Sequence, residues 1–142
     1  MITEDYCSFE TAKLLKEKGF DESCIAVYEE EVLRINTLCD YHNSELSSYI
    51  CAPTHQMAMK WLREVYNIDI DIQAAVGMLG VKVYIPYISK YKLLEGTSSK
   101  VRQIKRGMYY NDDRGVIPAL QHFASYEETV EAAIKYCLEN LI

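Results

Sequence analysis

Several things are scarce in this chain of 142 residues. Glycine and proline together number only nine, too few for a fibrous or low-complexity chain. No apolar run approaches the roughly 20 residues needed to cross a bilayer. The first residues, Met1-Ile2-Thr3-Glu4-Asp5, are acidic and lack the basic and apolar stretches of a secretory leader. A cytoplasmic protein without membrane partners is therefore expected. Several motifs are also missing. There is no G-x-x-x-x-G-K-[ST], no G-x-G-x-x-G after a strand, no H-E-x-x-H and no G-x-S-x-G. Nucleotide-binding loops, zincin chemistry and the serine-hydrolase elbow have no support.

What is present is an ordinary globular ratio, 49% hydrophobic and 25% charged, at a length that suits one domain over residues 1–142. Five cysteines, at 7, 24, 39, 51 and 137, are odd in number and scattered. They read as free, mostly buried thiols rather than a disulfide framework. Twelve tyrosines are many. Their rings and hydroxyls suit a half-exposed sheet or an interface. The net charge of −6 is segregated. Residues 82–114 hold eight basic against three acidic residues, a net +5, and the remainder holds seven against eighteen, a net −11.

Three segments have helical period. Residues 8–18 carry Ser8 as an N-cap, Phe9, Ala12 and Leu15 on one face, and Gly19 as a stop. Residues 54–66 follow Pro53 and repeat Met57, Ala58, Trp61, Leu62, Val65 and Tyr66 along one stripe. Residues 126–141 open with the capping box Ser125/Glu128 and bury Val130, Ala133, Ile134, Cys137, Leu138 and Leu141. Between them the period is two. Residues 24–28 and 32–38 predict a hairpin about Glu29-Glu30-Glu31, Ile68–Ile72 alternates with Asp69 and Asp71, and Val81–Tyr87 follows a Gly77–Gly80 turn. Pro86 suggests an edge position or a bulge. Residues 100–110 read as one more strand. The order α-ββ-α-ββ(β)-α predicts an α+β, two-layer domain. Its antiparallel sheet has four or five strands and carries three amphipathic helices.

Candidate chemistry is thin. Cys39, His42, Cys51 and His55 offer two thiols and two imidazoles, but the spacing is not that of a structural zinc site. We expect no metal and no cofactor. Cys51 and His55, one helical turn apart, are the only candidate for thiol chemistry, without a flanking signature of a thiol hydrolase. No catalytic residue is assigned. The basic segment 90–110 interleaves cations with aromatics. Lys90, Lys92, Lys100, Arg102, Lys105, Arg106, Tyr109 and Tyr110 could neutralise phosphates and stack bases. In simple alternation Lys100, Arg102 and Arg106 share one face and Lys105 takes the other.

The segments Cys7–Asp21, Ala52–Val65 and Ser125–Ile142 resemble short proteins of gut Bacteroidales genomes and their phages or prophages. The resemblance lies in helix faces and caps. It implies a phage or mobile-element setting and carries over no activity, cofactor or catalytic residue. The leading expectation is a non-enzymatic accessory protein that binds an unidentified protein partner or itself through a tyrosine-rich sheet. Nucleic-acid binding through residues 90–110 is second. A cysteine-dependent enzyme at Cys51/His55 is third.

Overall fold

In the computed structural model the helices fall where caps and periodicity place them. The structure describes residues 1–77, 79–93, 101–108 and 125–142, with side chains of 92–93 and 101–108 left aside. Helix α1 spans Phe9–Glu17, α2 spans His55–Tyr66 and α3 spans Tyr126–Asn140. Each begins at a hydroxyl N-cap. Ser8 accepts from the Thr11 N–H, Thr54 from the Met57 N–H and Ser125 from the Glu128 N–H. Helix α1 stops at Lys18, and Gly19 follows at φ +94°, a conformation glycine adopts without cost. Asn67 ends α2 in the same left-handed region.

The α+β class and the order of helices and strands agree with expectation. The sheet differs. Six strands form two antiparallel sheets of three among the described residues. In the first, β1 (Ala26–Glu29) lies between β2 (Val32–Ile35) and β3 (Ile50–Cys51). In the second, β5 (Lys82–Leu93) lies between β4 (Ile68–Val76) and β6 (Val101–Met108). Two residues of β3 are too few to show a period of two, so periodicity does not reveal it. Yet β3 pairs Val27 with Cys51 and closes the free side of β1. The turn between β1 and β2 is Glu30-Glu31, at φ 48° and 66°. A two-residue hairpin needs positive φ at both positions to match strand twist, and here two glutamates supply it.

Strand β4 alternates as its sequence does: Ile68 is buried, Ile70 and Ile72 are half-buried, and Asp69, Asp71 and Gln73 are exposed. Its isoleucine face meets α2 and α3, and α3 also packs on α1 and β5. The main core gathers Leu15, Phe20, Trp61, Leu62, Ile68, Ile88, Ile134 and Leu138. Trp61 stacks edge-on with both Phe20 and Tyr66. Pro86 stands in the central strand opposite Ile72, next to the Tyr87 position where the described pairing with β6 starts. The bulge lies further on, where the register with β6 shifts between Lys90 and Tyr91.

Candidate functional sites

Two features stand out: a buried polar cluster where three segments meet, and an apolar hairpin tip.

The polar cluster begins with the extended residues before α1. They lie along the loop before α2. The Cys7 N–H donates to the Pro53 carbonyl, and the His55 N–H donates to the Asp5 carbonyl, both at 2.9 Å. That lacing sets Cys7 beside His55, the first residue of α2. The Tyr28 hydroxyl donates to the Cys7 carbonyl at 2.7 Å and fixes this stretch against β1. From α3, Glu131 reaches in. One oxygen pairs with His55 Nε2 at 2.6 Å and the other accepts from the Ser8 N–H at 2.9 Å. A Cys7 sulfur, a His55 ring nitrogen and a Glu131 oxygen lie within 4.8 Å of one another.

The electrostatics follow from burial and partners. Burial alone would push the Glu131 carboxyl up. Hydrogen bonds from His55, Ser8 and Thr11 outweigh it and bring the group down to about 2. The opposite holds at Cys7. Burial, reinforced by the Glu131 charge, pushes its thiol well above the ordinary range. Without a cation nearby Cys7 is a protonated, unreactive thiol. His55 also lines a cavity of about 300 Å³ together with Asp5, Tyr126 and Glu127. Sulfur, imidazole and carboxylate donors could together hold a transition-metal ion.

The structure pairs the expected residues differently. Cys51 does not sit with His55. It is fully buried, its N–H donates to Asn43 at 3.0 Å, and its sulfur faces Cys24. The Cys24 thiol is raised, chiefly by that hydrogen bond to Cys51 and then by burial. His42 donates from Nδ1 to the Asp21 carbonyl at 2.9 Å. Among the described residues, Cys39, His42 and Cys51 join no metal-sized group with His55. Cys7 and Glu131 come from opposite ends of the chain, so no local spacing could have linked them. The one available clue was Glu131 on the rim of an otherwise apolar helix stripe.

Of the basic segment, Lys90 is half-buried and donates to the Leu141 carbonyl at 2.6 Å, capping the end of α3. Lys92 pairs in register with Arg102, Lys90 with Lys105 and Ser89 with Arg106. The shift between Lys90 and Tyr91 interrupts the alternation expected between Arg102 and Arg106. Lys100, Tyr109 and Tyr110 lie outside the described residues.

The second feature is the far end of the β4–β5 hairpin. Tyr84 meets Tyr126, at the start of α3, edge to face with ring centroids 6.1 Å apart. Beyond that contact Val76, Leu79 and Val81 are 77%, 93% and 60% exposed. Turns are normally polar. This one carries only glycine and apolar residues from Val76 to Val81. Gly77 donates to Val81 at 2.8 Å, and Gly80 sits at φ +75°. On the body, Tyr6, Ile25, Ala52 and Met57 line a mostly apolar groove of about 380 Å³ with Glu4 at its rim. No protein-family model, curated protein or solved structure matches this chain. Among the described residues no helix is long and apolar enough to cross a membrane.

Proposed function

We propose that this chain is a non-enzymatic accessory protein that assembles with a second copy of itself, the apolar tip of the β4–β5 hairpin seating in the groove of the other copy. The observation that carries this reading is the exposure of Val76, Leu79 and Val81 on a turn that has no polar residue. Large exposed apolar groups that cluster are the mark of a contact surface. A second copy fits as occupant because each chain carries both halves of the contact. Exposed Lys82 flanks the tip, and exposed Glu4 borders the groove, so the charges are opposite where they would meet. At larger scale the positive segment 82–114 suits an acidic body of net −11. The contact repeated about a two-fold axis closes a dimer and leaves no open end. The tyrosines of β5, Tyr84, Tyr87 and Tyr91, belong to the same sheet.

Analytical ultracentrifugation of the purified chain from 1 to 100 µM tests this. A concentration-dependent dimer is expected, and Leu79→Asp with Val76→Asp should convert it to monomer without lowering the melting temperature. A monomer at 100 µM, or a dimer untouched by those changes, overturns the reading. Submicromolar, steeply salt-dependent binding of oligonucleotides, lost in Arg102→Ala/Arg106→Ala, would replace it with a nucleic-acid function of residues 90–110.

A further inference from the structure

We propose that Cys7, His55 and Glu131 form a three-ligand binding site for a zinc-class divalent ion. The donors come from three separate segments: the strand-like stretch before α1, the first turn of α2 and the second turn of α3. Their ligand atoms already lie within 4.8 Å of one another. One sulfur, one nitrogen and one oxygen make a borderline-soft set, the kind that takes Zn²⁺ rather than Mg²⁺ or Ca²⁺.

A simpler reading is a buried His55–Glu131 ion pair. That reading gives no role to the Cys7 thiol in the same cluster. A dication held by all three groups would give the thiol a role, because it favours the thiolate, and the carboxylate balances its charge. The thiol proton leaves to solvent as the metal–sulfur bond forms.

The surroundings are those of a braced ligand set. The Glu131 carboxylate is oriented by the Ser8 N–H and Thr11. The His55 backbone is tied to Asp5, and the Cys7 backbone to Pro53 and Tyr28. Such outer contacts aim ligands and are costly to lose. The required movement is small. His55 Nε2 and the Glu131 oxygen stand 2.6 Å apart, and two ligands on a tetrahedral Zn²⁺ with bonds near 2.0–2.1 Å stand roughly 3.3 Å apart. Three protein ligands leave a fourth position for water on a tetrahedral ion.

The test uses the untagged full chain, stripped with chelator and then titrated with Zn²⁺ and separately with Co²⁺. One equivalent of zinc per chain by native mass spectrometry is expected. With Co²⁺, a thiolate-to-metal band in the near ultraviolet should saturate at the same ratio. Cys7→Ser should abolish that band, and Glu131→Gln should weaken binding at least about tenfold. The paired control Cys39→Ser/His42→Asn should bind as the unaltered chain does. Less than about one-tenth equivalent of zinc on the unaltered chain overturns the proposal. So does a band that survives Cys7→Ser or vanishes in the control. Should Cys7→Ser and Glu131→Gln fail to fold, the cobalt spectrum of the Cys39→Ser/His42→Asn chain decides, since a band saturating at one equivalent without the Cys39 thiol supports the site and its absence refutes it. Dimerisation does not enter this readout, so the two proposals fail separately.

Discussion

Glu131 holds its negative charge where burial opposes it, and that makes folding sensitive to acid. In the folded, metal-free chain its carboxyl titrates near 2, against 4.5 for the free group. A lowered acid contributes stability that is complete above the unfolded value and is lost as pH falls toward the folded one. The window is therefore between about pH 4.5 and 2. A shift of this size corresponds to about 3 kcal/mol. Chelator-treated protein should lose that much stability across the window in urea titrations. Glu131→Gln should flatten the slope there while lowering stability at pH 7, because the neutral amide leaves His55 without its anion. An unchanged slope in the variant would remove Glu131 from this role. At this scale the sequence was half legible. His55 was singled out, but with the wrong sulfur, because Cys51 is only four residues away and Cys7 is joined to it through space by the Tyr6–Thr54 bridge.

At the level of elements, the helices and the two hairpins were readable, and the third strand of the first sheet was not. Caps and a 3.6-residue stripe are local signals. Ser8, Thr54 and Ser125 announce starts that tertiary packing then keeps. Strand partners are not local. β3 is two residues long and was invisible, and the split into two sheets depends on where β3 and β4 go after α2 intervenes. The β1–β2 hairpin was expected about three glutamates, yet glutamate is a poor choice for its turn. Glu30 and Glu31 both sit at positive φ, which costs an L-residue with a side chain roughly 1–2 kcal/mol. They also place like charges side by side, next to the Arg34–Glu29 pair at 2.6 Å. Replacing Glu30-Glu31 by Asn-Gly should raise stability by about 1 kcal/mol through the backbone alone. Thermal melts at neutral pH measure it. A loss of stability would mean that the two carboxylates hold the body in some way the hairpin geometry does not reveal.

Across the whole molecule, charge and apolar surface are both arranged unevenly, and the two arrangements predict different responses to salt. If phosphate contacts by about four cations of residues 90–110 were the main attraction, binding would fall roughly fifty-fold between 50 and 200 mM salt. In the dimer proposed here the attraction comes from Val76, Leu79 and Val81 leaving water, and Lys82 with Glu4 lies at the rim. Rim charges near the surface are screened over a Debye length of about 10 Å at 0.1 M, so they steer association more than they hold it. Sodium chloride over that range should therefore weaken the dimer by less than about threefold. Sulfate should act in the other direction, because excluded salts strengthen the burial of apolar surface. Dimer dissociation constants measured by ultracentrifugation in the two salts at matched ionic strength separate the cases. Tightening in sulfate with little change in chloride supports the apolar tip as the anchor. A tenfold or greater loss in both salts would put the anchor in the charged segment, and the hairpin tip would then need another explanation for its exposure.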